Sequence, residues 1–135
     1  MNSLNIPVEE FTTPDPITAI ETTPIHDIIK LMKEHGVRHL PILRDGIAVG
    51  IISDRDAQVV SGLTVREKIQ IQASDIMVSN PVTVSAQDSL EDVAFLMSQK
   101  KIGSVLVTDE NDSLLGIFTV TDALNALIEI VRANT

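Results

Sequence analysis

Two short groups of residues in this chain are equipped for the same chemistry. Ser53 and Asp56, and again Thr119 and Asp122, place a hydroxyl three positions ahead of a carboxylate, at the ends of GIISDRD (50–56) and GIFTVTD (116–122). A hydroxyl residue at a helix N-cap with an acid three residues on forms a capping box, each side chain satisfying the other's backbone N–H. The same geometry can serve a ligand. A helix start carries unpaired N–H groups and a partial positive charge that receive phosphate, and a carboxylate one turn in can accept hydrogen bonds from both hydroxyls of a ribose. Capping alone and nucleotide binding are both open for these residues.

Basic residues distinguish the two groups. Copy one carries Arg38, His39 and Arg55 where copy two has Gly103, Ser104 and Thr121. Phosphate binding is therefore expected to be asymmetric, since arginine offers a planar fork and histidine adds charge when protonated. Other chemistry is weaker. His35 and His39 have the i, i+4 spacing of a helical metal pair, but Gly36 and the strand pattern after it break the helix between them, so zinc is not expected. Asp54 and Asp56 could help hold magnesium against ligand phosphates. With no nucleophile beside a recognisable base and no spaced acid–base pair, an enzyme is not expected.

The elements that position these residues come from a duplication. PITAIETTPIHDIIKLM (16–32) lies over PVTVSAQDSLEDVAFLM (81–97) without a gap, at an offset of 65, and the register gains one residue before the two motif ends align. A repeat on this scale sets the architecture. Each copy reads as a short strand, a helix, two strands and a second helix. In copy one, Thr23 is the expected N-cap and Pro24 a first-turn residue, with Ile25, Ile28, Ile29 and Met32 at helical spacing and Gly36 as the stop. In copy two, Asp88 is the expected cap, ahead of Leu90, Val93, Ala94 and Met97. Apolar strands are expected at 37–43 and 102–108, with turns at 44–46 and 109–113 leading into antiparallel partners. The final helix of copy one is expected to end near Gly62. The fold class is α+β, two tandem repeats packed about a pseudo-twofold axis, with repeat 1 in residues 1–70 and repeat 2 in 71–135.

Composition bounds the function. The 135 residues carry 10 basic against 19 acidic side chains, a net charge of −9, with no basic cluster. Nucleic acid draws proteins mainly through phosphate neutralisation, so it is not an expected partner, and neither is an anionic membrane. No basic leader or long apolar run is present, which leaves a cytoplasmic protein as the expectation. Cysteine is absent, and three phenylalanines are the only aromatics. Any planar ligand must be held by aliphatic side chains and backbone.

The ordered set DIMVSNPVTV (75–84), IGSVLVTD (102–109) and GIFTVTD (116–122), with FTTPDPITA, GVRHLPIL and GIISDRD in copy one, resembles the paired CBS-domain family, named for cystathionine β-synthase and also called a Bateman module. The resemblance spans roughly residues 10–130, though copy one lacks the Met-Val feature of residues 77 and 78. It implies a regulatory module that senses an adenosine-containing ligand (AMP, ADP, ATP, S-adenosylmethionine or NAD) in clefts between the repeats, without a required cofactor. It further implies Asp56 and Asp122 as ribose acceptors, with Ser53 and Thr119 beside them. By position Thr13, Ile17, Val37, Arg38 and His39 would line the first cleft, and Val78, Val82, Ile102, Gly103 and Ser104 the second.

The last helix carries a separate signal. Leu124, Leu127, Ile128 and Val131 form one stripe, which Ala123, Ala126 and Ile130 widen beyond what one sheet face needs, and Phe95 stands where copy one has Lys30. A homodimer through Phe95 and the helix from Ala123 to Val131 is expected, as CBS pairs often form. With no further domain in this chain, a regulated protein would be a separate molecule. The rival classes are a ligand-free dimerisation or interaction scaffold, in which the aspartates only cap helices, and a nucleotide-processing enzyme.

Overall fold

The structure, a computed structural model, describes residues 5–134. After a 3-10 turn at Val8–Phe11 the elements run β1 (Thr13–Pro14), β2 (Ala19–Ile20), α1 (Ile25–His35), β3 (His39–Arg44), β4 (Ile47–Ser53), α2 (Asp54–Val59), α3 (Val65–Gln70), α4 (Ala73–Ile76), β5 (Val78–Ser79), β6 (Thr83–Ser85), α5 (Leu90–Lys100), β7 (Ser104–Thr108), β8 (Leu114–Thr119) and α6 (Val120–Ala133). The class is α+β, and each repeat has the expected strand, helix, hairpin and helix.

The chain forms two compact units. One unit is Pro16–Pro81; the other joins the segment ending at Asp15 to the chain from Val82 onward. Edge strands are the cause. β1 pairs antiparallel with β8, Thr13 facing Ile117 and Pro14 facing Gly116, while β5 pairs antiparallel with β4, Gly50 facing Ser79 and Ile51 facing Val78. The strand just ahead of each repeat thus satisfies the open edge of the other repeat's hairpin, where unpaired N–H and C=O groups would otherwise remain. The chain leaves one unit for the other after Asp15 and after Pro81; Asp15 and Asn80 are both left-handed, with φ of 47° and 55°, and both are followed by proline. Asp and Asn are the residues that tolerate that conformation best after glycine.

In the repeat 1 unit the sheet order is β2-β3-β4-β5. α1 crosses between the parallel strands β2 and β3, burying Ile25, Ile28 and Met32 against Leu40, Ile42 and Ile52. Burial of this kind contributes roughly 1.5–3 kcal/mol for each large aliphatic side chain. The β3–β4 hairpin turns on Asp45 and Gly46, with φ of 51° and 81°, the pair of positive angles that a two-residue turn matched to strand twist requires.

The start of α1 differs from expectation. Pro24, not Thr23, is the N-cap, without a side-chain bond, and the Thr23 hydroxyl accepts the N–H of Ile20 instead. The Ile71 carbonyl accepts the N–H of Ile25 at 2.7 Å, so backbone from the incoming segment does the work of a cap. Gly36 ends the helix at φ 62°, as its position suggests. α2 stops at Val59, short of Gly62, and α3 opens on its own capping box, Thr64 with Glu67.

The repeat 2 unit mirrors this arrangement, in the order β1-β8-β7-β6. Its core gathers Val84, Leu90, Val93, Met97, Val105, Val107, Phe118 and Ala126, with Val8 from the first segment. Ser89 rather than Asp88 caps α5, accepting the N–H of Asp92 at 3.0 Å. Asp88 instead receives the N–H of Ser85. The Leu90 N–H reaches the Ile6 carbonyl at 2.7 Å, the counterpart of the bond from Ile25 to Ile71.

Candidate functional site

Both motif ends fold into capping boxes. At the start of α2 the Ser53 hydroxyl accepts the Asp56 N–H at 3.2 Å, and Asp56 Oδ2 accepts the Ser53 N–H at 2.9 Å and its hydroxyl at 3.0 Å. At the start of α6 the Thr119 hydroxyl accepts the Asp122 N–H at 3.3 Å, and Asp122 Oδ2 accepts the Thr119 N–H at 2.8 Å and its hydroxyl at 3.1 Å. One oxygen of each carboxylate is thereby committed to the cap. The N–H of the next residue is also tied down, Asp54 to the Arg38 carbonyl at 2.8 Å and Val120 to the Gly103 carbonyl at 3.1 Å. These bonds fasten each helix start to the loop after the first helix of its repeat.

The second carboxylate oxygen differs between the copies. The Thr13 hydroxyl donates to Asp122 Oδ1 at 3.1 Å. Its counterpart on β5 is Val78, which has no hydroxyl, and among the described residues Asp56 Oδ1 has no hydrogen-bond partner. Thr13 therefore belongs with the second motif and Val78 with the first, the reverse of the expected grouping. The swap of edge strands is the reason.

The remaining expected residues keep their repeats. Ile17 and Val37 pack, partly buried, against the repeat 1 core, His39 faces Ser53 across the β3–β4 ladder, and Arg38 and Arg55 are exposed. Val82 and Ile102 pack on the repeat 2 core, and Ser104 faces Thr119 across β7 and β8. Ile17, Val37, Arg38, His39, Ser53, Arg55, Asp56 and Val78 thus belong to the Pro16–Pro81 unit, and Thr13, Val82, Ile102, Gly103, Ser104, Thr119 and Asp122 to the other.

Electrostatics follow the same asymmetry. Burial pushes the His39 imidazole below its ordinary value of 6.5, the nearby Asp54 and Asp56 carboxylates oppose this, and Arg38 reinforces it. His39 is biased toward neutral, which leaves Arg38 and Arg55 as the permanently charged cations of the expected set. Among the described residues no cluster of three His, Cys, Asp or Glu side chains could hold a metal ion. No helix among them is long and apolar enough to cross a membrane.

Sequence reasoning passed over two glycines that build the sites. A Cβ on Gly116 would sit 2.5 Å from the Thr13 carbonyl oxygen and 2.5 Å from Thr12 Cγ2, and one on Gly50 would collide with Met77 Sδ. Each glycine lets the edge strand lie close enough to pair. The signal was present in the repeated Gly-Ile of both motifs, and the Met-Val feature of residues 77 and 78 belongs structurally to repeat 1. A cavity of about 480 Å³ beside α1, α2 and α3 was also missed; Lys33, Arg38, Asp54 and Lys68 are among its lining residues.

Comparison with known proteins agrees with this geometry. The family model for the CBS domain matches residues 8–58 and 73–129. The uncharacterized protein MJ1225 of Methanocaldococcus jannaschii is 30% identical over 127 residues, covering 87% of this chain and 45% of that protein. The chain spans under half the length of this relative and of MJ0188 from the same organism. Among solved structures, CBSX2 of Arabidopsis thaliana, determined in complex with AMP, superposes with a TM-score of 0.81 at 27% identity, covering 93% of this chain and 98% of that one. The CBS domain pair of protein MJ0100, in complex with 5′-methylthioadenosine and S-adenosyl-L-methionine, gives 0.79 at 29% identity, over 90% and 94%. With two matched repeats, two capped helix starts and edge strands to complete them, the chain belongs to the CBS-domain family.

Proposed function

We propose that this chain is a regulatory module that binds an adenosine-containing small molecule, AMP, ADP, ATP, S-adenosylmethionine or an NAD-like dinucleotide, and passes the binding on as a conformational change. The observation that carries this reading is the duplicated helix start with an N3 carboxylate, held in place by Ser53 in one repeat and Thr119 in the other. Each carboxylate keeps acceptor capacity on Oδ1 for a ribose diol, and the helix start suits a phosphate. The adenosine ligands of CBSX2 and of the MJ0100 pair support the ligand class.

In this reading Arg38 and Arg55 meet phosphates at the repeat 1 site, while backbone at Val37 to His39 and at Ile102 to Ser104 reads the adenine edge. Ile17 and Val37, and Val82 and Ile102, supply apolar walls. A regulatory effect needs the ligand to prefer one conformation by a free-energy difference. Catalysis has no part in it, and magnesium would enter only with a polyphosphate.

Calorimetric titration with AMP, ATP, S-adenosylmethionine and NAD tests the reading. Saturable binding of at least one is expected, and Asp56→Ala and Asp122→Ala should each weaken it at their own site by about 1.5–3 kcal/mol, the worth of hydrogen bonds to a charged group. Unchanged affinity alongside a lowered melting temperature would reduce both carboxylates to helix caps.

A further inference from the structure

The cavity beside α1, α2 and α3 shares Val37 and Arg38 with the proposed repeat 1 nucleotide site but lies across α2 from Asp56. It is lined by repeat 1 residues only: Ile29, Met32 and Val37 form an apolar floor with Ala57, and Lys33, Arg38 and Lys68 stand around it with one acid, Asp54. Its volume of about 480 Å³ falls in the range of small-molecule sites. On α2, Asp54, Ala57 and Gln58 line it at i, i+3 and i+4, while Asp56 lies about 200° round the helix from Asp54 at 3.6 residues per turn. Asp56 and the cavity therefore occupy opposite sides of α2.

Charge sets this cavity apart. The chain has a net charge of −9, yet three cations and one carboxylate surround this one hollow. Among the described residues none of Lys33, Arg38 and Lys68 lies within ion-pair distance of an acid; the ion pairs found are Lys30 with Glu34 and Arg44 with Glu21. A groove in repeat 2 shares only Ala94, Ala123 and Leu127 as counterparts of Ile29, Ala57 and Ser61, and its charged lining residue is Glu91, with no lysine or arginine. In the register of the repeat, Ser98 and Gly103 of copy two hold the places of Lys33 and Arg38, and Leu124 and Leu127 those of Gln58 and Ser61. The cationic rim is thus particular to repeat 1 and not a property of the repeated fold.

We propose that this cavity binds a small organic anion, its carbon body on Ile29, Met32, Val37 and Ala57 and its carboxylate or phosphate among Lys33, Arg38 and Lys68. Arg38 offers a bidentate fork to either anion, and the lysines act as point charges. Unpaired cations above an apolar floor match an amphipathic anion in both parts, whereas a neutral apolar molecule would leave the charges unused.

The test is backbone amide NMR on the isotopically labelled full chain, titrated with hexanoate, hexyl phosphate and the neutral control 1-hexanol. Saturable shifts are expected at Lys33 to Arg38 and Ala57 to Lys68 with at least one anion, whichever binds tighter naming the headgroup. The double variant K33Q/K68Q should keep its melting temperature and lose about tenfold in affinity, the scale of one charge-assisted contact. Binding should weaken as salt screens exposed Lys33 and half-buried Lys68. Equal binding of 1-hexanol, absence of saturable shifts, or shifts centred on Ser53 and Asp56 would overturn the proposal. Because the Asp56→Ala variant should still bind the anion, failure of the nucleotide reading would be seen separately.

Discussion

At the scale of single residues the two motifs are chemically unequal copies. Asp122 is held on both oxygens, by the Thr119 cap and the Thr13 hydroxyl, whereas Asp56 spends only Oδ2 on its cap. His39 adds a pH dependence confined to repeat 1. Its pKa is lowered from 6.5 chiefly by burial, so between the folded value and 6.5 the unfolded chain binds more protons than the folded one. The stability it contributes is present above about pH 6.5 and lost as pH falls through the folded value. The melting temperature of the native chain should therefore fall more steeply on acidification from about pH 7.5 to 5 than that of His39→Gln. Parallel curves would remove His39 from the acid response.

At the scale of elements, the short edge strands set the geometry of the sites. β1 brings Thr13 to Asp122, and it can do so only because Gly116 leaves room for the Thr13 carbonyl. Gly116→Ala forces backbone apart and should cost about 1–3 kcal/mol by urea denaturation. Gly50→Ala meets only the flexible Met77 side chain, and thioethers re-pack readily, so its cost should be the smaller of the two. A larger loss for Gly50→Ala would mean that the contact with Met77, not the approach of β1, is the tighter fit. Either substitution should reduce ligand affinity at its own repeat along with stability.

At the scale of the whole molecule, the asymmetry extends to surface. α6 buries only Ala126 fully, while Leu124, Leu127, Ile128 and Val131 stay exposed, and Phe95 on α5 is 65% exposed. Exposed apolar side chains of this kind are a common seat of symmetric pairing, and we propose that the homodimer expected from the sequence uses them. Light scattering at about micromolar concentration should give twice the chain mass. Phe95→Glu together with Leu127→Glu should yield a folded monomer. A native chain that is monomeric under the same conditions would leave the face without this role.

The sequence by itself determined the repeat, the α+β class, the capping boxes at Ser53 and Thr119 and the turn at Asp45 and Gly46, because each rests on spacing and local backbone chemistry. It also held the difference in basic residues between the copies. Only the tertiary structure decided that Thr13 serves Asp122 and that Val78 lies beside Ile51. Edge pairing is non-local: a two-residue strand carries too little pattern to name its partner, and the available edge belongs to the other repeat. The same holds for helix starts, where Ile71 and Ile6 carbonyls replace the caps expected at Thr23 and Asp88. The gathering of Lys33, Arg38 and Lys68 around one cavity likewise required the packing of α1, α2 and α3, since residues dispersed along a chain become a site only when burial of the apolar faces beneath them brings their elements together.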